Sequence, residues 1–414
     1  MRDEGKSPGH TRSKTGRRAV LLVSLLLGTG LPARAEIPGG VVKIGVLTDM
    51  SGSTAENSGQ GSVVAAKLAA EDAGGTVAGA KIEIVAADHQ NKPDVGASIA
   101  RQWLDRDGVQ VIVDLPFTQI ALAVAGIAKD RDRAVLIDAA ASSDLTGSAC
   151  SPVLTHWTDD SYALSNGTAR ALTQAGGKDW FFITADYAFG TALQRDATSA
   201  IVAAGGRVVG SVRHPLPSPD MSSYITQAMS SGAQIVGLAN VGTDTSNAIK
   251  QAAEFGLSQG GQKLAGLLVF INDVHALGLQ AAQGLYVTSG FYWDANDESR
   301  AFAQRFRAQT GKAPSKSQAA VYVSVRHWLR AVDSTGSVSG AATTTAMKAA
   351  PVDYFGQKAS IREDGRVIYS LGLYAVKSPQ ESRGPWDYYR LVTKIPAETA
   401  FRPVADGGCS LSKS

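Results

Sequence analysis

Three aspartates lie at the ends of apolar runs and are the residues best placed for acid chemistry. They are Asp49, Asp114 and Asp138. Carboxylates gathered at strand ends can act as a catalytic acid and base, or they can hold a cation. The same side chains can instead cap helices, where the helix dipole favours a negative charge, or pair within one lobe. The sequence favours this second interpretation, and the first remains an alternative.

Other motifs for catalysis or cofactor binding are incomplete. Gly59-Gln60-Gly61 begins a predicted helix, as a dinucleotide fingerprint does, but Val64 stands where the third glycine belongs. Lys263 is followed by leucine, so the P-loop pattern fails. No Gly-x-Ser-x-Gly elbow occurs, and the six histidines lack metal-ligand spacing. We therefore expect no catalytic set, no metal site and no cofactor.

The elements that would position polar groups alternate between strand and helix. Residues 41–47 and 81–87 predict buried strands on either side of a helix at 61–72, which makes one βαβ unit. The alternation continues at 95–107, 109–113, 119–130 and 134–137, and it restarts at 162–175, 180–184, 188–204, 208–212, 235–238 and 243–255. Two series of parallel crossovers predict an α/β protein with two mostly parallel sheets, hence two lobes.

The later part of the chain departs from this rhythm. Residues 298–310 and 318–333 predict two successive helices that pack against one of the lobes. Residues 361–368 predict a hairpin with an Asp-Gly turn. Little structure is predicted after Pro379.

The amino-terminal residues predict export. Basic residues precede an apolar run at 19–27 that is too short to cross a bilayer, and Ala33-Arg34-Ala35 is typical of a cleavage site. We therefore expect a signal peptide at 1–35, cleavage after Ala35 and a periplasmic protein. The whole chain has a formal net charge of +3, part of it in this leader, so nothing indicates a nucleic-acid partner.

Cys150 and Cys409 are the two cysteines of the chain. In an oxidising compartment they would most simply form a disulfide, which would tie the carboxyl-terminal tail to the middle of the chain. Two free buried thiols are the alternative.

Several segments together resemble the periplasmic solute-binding proteins of branched-chain amino-acid ABC transporters, the leucine/isoleucine/valine-binding type. The resemblance covers nearly all of the chain after the leader, and the order and spacing of its segments carry it. The matching segments are residues 43–47 through 50–52, 69–75, Asp88 with Pro93, 107–109, 142–147, 185–190 and 251–256.

The resemblance implies two discontinuous α/β lobes, joined by three crossings, that close on a solute. Lobe one would consist of residues 36–158 with 289–370. Lobe two would consist of 159–288 with 371–405, and 406–414 would form a tail. Each lobe would be a mostly parallel sheet with helices on both faces, the type I periplasmic binding protein fold.

Ligands bind at the carboxyl ends of strands in such sheets, and the resemblance places a carboxylate site in lobe one. Thr118 is our first choice for its hydroxyl, since it precedes a predicted helix whose first amides favour an anion. The other residues expected in this wall are Ser51, Phe117, Ala140, Ala141 and Ser142. Ser142 and Ser143 can instead cap the following turn.

Lobe two would supply the opposite wall through Tyr187, Phe189, Asn240, Asn272 and Asp273. Amino-acid binders of the resembling family hold the ammonium group with a glutamate at the position that aligns with Asn272. Loss of that counter-charge costs about 2–3 kcal/mol. The departure suggests a 2-oxo or aromatic acid, unless Asp273 replaces the glutamate.

The predicted function is therefore a substrate-binding component of an ABC importer. It captures a small carboxylate-bearing solute, which is a branched-chain or other amino acid or a related 2-oxo or aromatic acid. We expect a monomer that docks on an inner-membrane permease and has no enzymatic activity. The alternative is an exported enzyme that acts on a small carboxylic acid through the acidic strand ends.

Overall fold

The computed structural model describes Ile37 and residues 40–413. The predicted signal peptide and its cleavage site after Ala35 lie outside the described residues. In chain order the strands are β1 (Val41–Thr48), β2 (Thr76–Val77), β3 (Ala80–Asp88), β4 (Val109–Asp114), β5 (Ala134–Ile137), β6 (Leu154–His156), β7 (Asp179–Ala185), β8 (Arg207–His214), β9 (Ile235–Ala239), β10 (Lys263–Gly266), β11 (Tyr286–Ser289), β12 (Val352–Tyr354), β13 (Gln357–Ile361), β14 (Val367–Ile368), β15 (Leu371–Val376) and β16 (Tyr389–Ile395).

The α-helices are α1 (Gly59–Asp72), α2 (Pro93–Gln102), α3 (Thr118–Lys129), α4 (Ser161–Leu164), α5 (Arg170–Gln174), α6 (Ala188–Ala203), α7 (Ser222–Ser230), α8 (Thr243–Glu254), α9 (Ile271–Leu277), α10 (Leu279–Ala282), α11 (Asp297–Thr310), α12 (Lys316–Thr335), α13 (Gly340–Ala349) and α14 (Ala397–Ala400). Single π-helical segments, Trp103–Asp107 and Ser165–Ala169, follow α2 and α4. No helix among the described residues is both long enough and apolar enough to cross a membrane.

Lobe one is built on a six-stranded sheet of order β2-β3-β1-β4-β5-β6, in which β2 alone runs antiparallel to its neighbour. Alternate side chains of a strand point to opposite faces. Ile44 and Val46 of β1 therefore join a core with α1 and α12, while Leu47 joins a core on the other face with α3. This confirms the predicted α/β layering, with helices on both faces of a parallel sheet.

Lobe two is built on a four-stranded parallel sheet of order β10-β9-β7-β8. Phe182 packs with Leu193 of α6 on one face, and Ile183 packs with Ile249 of α8 on the other. An antiparallel sheet, β11-β15-β16, adds Tyr374 and other side chains to the same core as Ile183.

The two predicted helices after residue 297 are present as α11 and α12. Phe302 of α11 and Trp328 of α12 are buried in the core of lobe one. The predicted hairpin is present between β13 and β14, where Ile361 pairs with Val367. The sequence-based boundary of α12 was wrong by two residues, because the helix begins at Lys316 after the cap Ser315.

The tail differs from the expectation. Residues 371–405 were predicted in lobe two, but Ala400 and Phe401 are buried in the core of lobe one, where apolar surface is available to them. The tail thus makes a fourth passage between lobes, in addition to the three crossings that the resemblance implied. It also contains β16, in a stretch where little structure was predicted.

Cys150 and Cys409 form a disulfide, which confirms the predicted pairing and excludes two free thiols at these positions. Their Cα atoms are 5.6 Å apart, and the bond closes a loop of 259 residues. The disulfide therefore fixes the end of the fourth passage to lobe one.

A buried carboxylate joins the segments where the chain passes between the lobes. Asp159, on the first passage, accepts hydrogen bonds from the backbone N–H of Gly290 at 3.1 Å and from the Tyr369 hydroxyl at 3.1 Å. The Lys316 ammonium lies 2.9 Å from the same carboxylate and also donates to the carbonyl of Thr288. The side chains of Asp159 and Lys316 are 1% and 4% exposed, so solvent screens this ion pair weakly.

Removal of the disulfide by the double substitution Cys150→Ser and Cys409→Ser is expected to lower the free energy of unfolding by about 2–4 kcal/mol, because a long loop is no longer closed in the unfolded chain. Urea unfolding with and without reductant measures this change. The variant should be insensitive to reductant, whereas the wild type should fall to the stability of the variant. Equal stability of the oxidised wild type and the variant would contradict the prediction.

Lys316→Met should cost about 3–5 kcal/mol, because it leaves the Asp159 carboxylate buried without its counter-charge. Adding Asp159→Asn should restore part of that loss, since a neutral amide oxygen can still accept from Gly290 and Tyr369. Urea unfolding of the wild type, the two single variants and the double variant completes a double-mutant cycle. Additive losses would show that the pair is not coupled.

Candidate functional site

Loops from the two lobes meet at the carboxyl ends of the parallel strands. The amide of Thr243 donates to the carbonyl of Ser53 at 3.2 Å, and the Asn57 side-chain amide donates to Asp273 at 3.2 Å. Gly242 has φ +64°, and a Cβ there would lie 2.2 Å from the Ser53 carbonyl oxygen. Only glycine therefore allows this contact without a shift of the backbone. The lobes are in a closed arrangement.

A small cavity remains between the closed lobes. It lies at the ends of β1, β4 and β5 on one side and of β7, β9 and β10 on the other, with the start of α12 beside β1. This is the position where parallel α/β sheets bind ligands. The described residues that line it are Thr54, Asn57, Ser58, Pro116, Ala139, Ala141, Tyr187, Phe189, Val241, Leu268, Phe270 and Ser317.

The lining combines aromatic rings with uncharged polar groups. Tyr187, Phe189 and Phe270 supply the rings, and none of the described lining residues has an ionisable acidic or basic side chain of the Asp, Glu, Lys, Arg or His type. The nearby Lys316 ammonium lies 5.4 Å from the centre of the Phe270 ring, but it is paired with Asp159. Such a surface can stack on or enclose a flat or apolar group and can bind polar groups through neutral hydrogen bonds.

Two buried polar atoms of the lining, the Ser317 hydroxyl and the side-chain oxygen of Asn57, have no hydrogen-bond partner within the protein. The Thr118 hydroxyl, two residues after Pro116 of the lining, has none either. Thr118 and Asn57 are 1% and 2% exposed, and Ser317 is fully buried. Because buried polar groups are usually paired, these atoms are candidates for contact with a ligand.

Thr118 is the first residue of α3, two residues after Pro116 of the lining. The backbone before it adopts positive φ at Asp114 (+80°) and Leu115 (+59°), a conformation that is uncommon for residues other than glycine. Phe117 contacts Tyr187 of lobe two edge-on, with ring centres 6.3 Å apart. Phe117 therefore contacts a residue of the lining but does not itself line the cavity.

The structure places the other predicted lobe-one residues in different ways. Ala141 lines the cavity, whereas the backbone of Ala140 is engaged elsewhere: its N–H donates to Leu115 and its carbonyl is 2.7 Å from His156 Nε2. Ser51 is not brought to the cavity, because its exposed hydroxyl donates to Asp88 at 2.7 Å. The Ser142 hydroxyl accepts from the Asp144 amide, which is the capping role considered as the alternative.

In lobe two, Tyr187 and Phe189 line the cavity, and their ring centres are 5.9 Å apart. Asn240 is fully engaged, since its oxygen accepts from Thr245 at 2.7 Å and its amide lies 3.3 Å from His214 Nε2. Asn240 does not line the cavity, whereas the next residue, Val241, does.

Asn272 is buried but does not line the cavity. Asp273 does not line it either, but its carboxylate accepts a hydrogen bond from the side-chain amide of Asn57, which does. One Asp273 oxygen accepts from the Phe270 amide at 2.8 Å, and the other accepts from Asn57. Burial raises the pKa of Asp273 to about 7, against its hydrogen bonds and the influence of Lys316. The carboxyl is thus partly protonated near neutral pH.

Sequence reasoning missed Thr54, Asn57, Ser58, Leu268 and Ser317. Ser317 carried a usable signal, because Ser315-x-x-Gln318 is a capping box that marks the start of α12 two residues earlier than predicted. The loop after β1 carried none, since its approach to α12 depends on contacts between residues far apart in the chain.

Two of the three acidic strand ends, Asp49 and Asp138, accept hydrogen bonds from the backbone, whereas both carboxyl oxygens of Asp114 are buried without a hydrogen-bond partner. Asp49 accepts from the amides of Gly52 and Thr54 and from the Thr54 hydroxyl, at 2.7–2.9 Å. Asp138 accepts from the amide of Asp114 at 3.0 Å. Burial raises the pKa of Asp114 to about 7. The contacts of Asp49 and Asp138 support the capping or pairing interpretation for these two residues, and no group of three or more potential metal ligands occurs among the described residues.

A family model described as "Periplasmic binding protein" matches residues 41–383. A Leu/Ile/Val-binding protein homolog 6 from Brucella abortus is 30% identical over 281 residues, which are 66% of this chain and 70% of the relative.

Two crystal structures share the fold along most of the chain. A periplasmic binding protein from Burkholderia mallei is 47% identical, with a TM-score of 0.88, and the match covers 90% of this chain and 100% of the other. A branched chain amino acid ABC transporter periplasmic ligand-binding protein from Burkholderia xenovorans is 37% identical, with a TM-score of 0.80 and the same coverage of both chains.

Asp114→Asn tests the protonation of this buried carboxyl. Between pH 4 and 7 the unfolded chain loses the Asp114 proton and the folded protein keeps it, so the wild type loses stability as pH rises. The asparagine side chain does not titrate, so the variant lacks this pH dependence of stability, and asparagine tolerates the positive φ at this position. Relative to wild type, the variant should gain about 2–4 kcal/mol from pH 4 to pH 7.5.

Urea unfolding across this pH range measures the gain. Asp130→Asn, at an exposed position, is the control and should follow the wild-type curve. Parallel curves for Asp114→Asn and the wild type would contradict the prediction.

Proposed function

The chain belongs to the periplasmic binding protein family, and from this premise we propose that its cavity binds a small carboxylic acid that has no ammonium group. The family supplies the substrate-binding components of ABC importers, which bind small solutes and interact with permeases. The proposed solute is an aromatic or 2-oxo acid. The observation that carries the proposal is the lining, which joins three aromatic rings to neutral polar groups.

The proposed carboxylate position is the start of α3. The first amides of a helix lack partners within the helix, and its dipole favours an anion. Thr118 adds a buried hydroxyl without a partner in the protein. A carboxylate there would be held by neutral donors, which is consistent with the uncharged lining. Closure of the lobes would then remove it from water.

The proposed lack of an ammonium group follows from the residues opposite. Asn272 lies outside the lining, and both oxygens of Asp273 already accept hydrogen bonds from Phe270 and Asn57. Asp273 does not itself line the cavity, so an ammonium group would have to move the Asn57 amide to reach its carboxylate. A partly protonated Asp273 is also a weaker counter-charge than a full carboxylate.

Branched-chain amino acids are the second candidate. Two of the relatives are named for such solutes, and Asp273 lies close enough to the cavity to bond to Asn57 of its lining. If the Asn57 amide turned away, Asp273 could accept from an ammonium group.

Further details of the proposal are that the protein acts as a monomer without enzymatic activity and that its signal peptide is removed after Ala35. The engagement of Asp49 and Asp138 in hydrogen bonds to the backbone supports the absence of catalysis. Product formation from any bound acid would favour the exported enzyme instead.

Thr118→Ala should weaken binding of benzoate or of a 2-oxo acid about 10-fold, because the loss of one hydrogen bond to a charged group costs about 1.5 kcal/mol. Calorimetric titration of the mature protein, refolded to remove bound solute, measures this loss. Thr344→Ala is the matched control, since Thr344 also has a buried hydroxyl without a partner but lies on α13.

Titration with leucine in parallel decides between the two solute classes. We expect benzoate or the 2-oxo acid to bind and leucine not to bind. Binding of leucine that Asp273→Asn abolishes would establish the amino-acid alternative and overturn the proposed solute class.

A further inference from the structure

The start of α12 is fixed against the loop after β1. The Ser315 hydroxyl donates to the carbonyl of Asn57 at 2.6 Å, and the Gln318 side chain donates to the carbonyl of Ser58 at 3.0 Å. These bonds hold the first turn of a 20-residue helix at one end of the cavity. The position of Ser317 in the cavity wall is therefore set by its neighbours on both sides.

Two unpaired polar atoms lie in this part of the wall. The Ser317 hydroxyl is fully buried and has no partner within the protein. Asn57 uses its side-chain N–H on Asp273, which leaves its side-chain oxygen as a buried acceptor without a partner. The ammonium of Lys316, the residue before Ser317, is paired with the Asp159 carboxylate.

Together these two atoms match the chemistry of a hydroxyl group. A hydroxyl can donate one hydrogen bond and accept others. It could donate to the Asn57 oxygen and accept from the Ser317 hydroxyl, which would satisfy both. A methyl or ring hydrogen at the same place would leave both groups buried and unpaired, which costs about 1–3 kcal/mol for each group.

This polar end lies apart from the proposed carboxylate position. Ser317 is beside the end of β1, whereas Thr118 and Ala141 follow β4 and β5. Strand β4 separates β1 from β5 in the sheet, and neighbouring strands are about 4.8 Å apart, so the two ends of the cavity are separated by about 5–10 Å. Phe270 and Phe189 line the space between the lobes.

We infer that Ser317 and Asn57 select acids that carry a hydroxyl group at the end remote from the carboxylate. The inference rests on the proposed function, because it assumes that the carboxylate binds at the start of α3. It narrows the solute class to hydroxylated carboxylic acids, with a flat ring as the simplest spacer between the two polar groups.

Calorimetric titration with 4-hydroxybenzoate and benzoate tests this inference, because the two probes differ only in the remote hydroxyl. The wild type is expected to bind 4-hydroxybenzoate at least about 10-fold more tightly than benzoate. Ser317→Ala should weaken binding of 4-hydroxybenzoate about 5- to 10-fold and should change benzoate binding less than about two-fold.

Ser151→Ala is the matched control, since Ser151 also has a buried hydroxyl without a partner but lies outside the cavity. It should leave both affinities unchanged. Thermal unfolding of each variant verifies that it folds.

Each remaining outcome has one meaning. Equal affinity of the wild type for the two probes, or an equal loss for both in Ser317→Ala, would overturn the role of Ser317 while leaving the proposed function intact. Binding of neither probe by the folded wild type would overturn this inference and the aromatic solute, and the proposed function would fall with them if the 2-oxo acid also failed to bind.

Discussion

The buried Asp159 carboxylate is the contact on which the relation between the two lobes depends. It joins the first passage between lobes to the second, through Gly290, and to the third, through Tyr369, while Lys316 supplies the opposing charge. A buried carboxylate is tolerated only where such partners surround it. Lys316 also begins α12, whose residue Ser317 lines the cavity, so the contact between the passages and the candidate site share one helix.

Closure and recognition follow from this arrangement. The passages hold the carboxyl ends of both parallel sheets face to face, and the loops that extend from them meet directly at Ser53 and Thr243. In the proposed function, a solute enclosed there would exchange water for neutral donors and aromatic surface of the lining.

The architecture was largely predictable, and the site only in part. Apolar runs such as 109–113 predicted strands that the structure has, because strands of parallel sheets are buried on both faces. Tyr187, Phe189 and Ala141 line the cavity, as the loop positions suggested. Ser142 and Asn240 do not, since local partners already satisfy their side chains, and sequence spacing does not reveal such partners.

The sequence by itself determined the fold class, because residue periodicity and the alternation of strands and helices are local properties of the chain. It also predicted the pairing of Cys150 and Cys409, since an oxidising compartment favours a disulfide between the two cysteines of the chain. Tertiary structure alone decided that Asn57 meets Asp273, that Phe401 returns to lobe one and that Ser317 reaches the cavity. Those contacts join residues that are distant in sequence, and only packing of the complete cores fixes their directions.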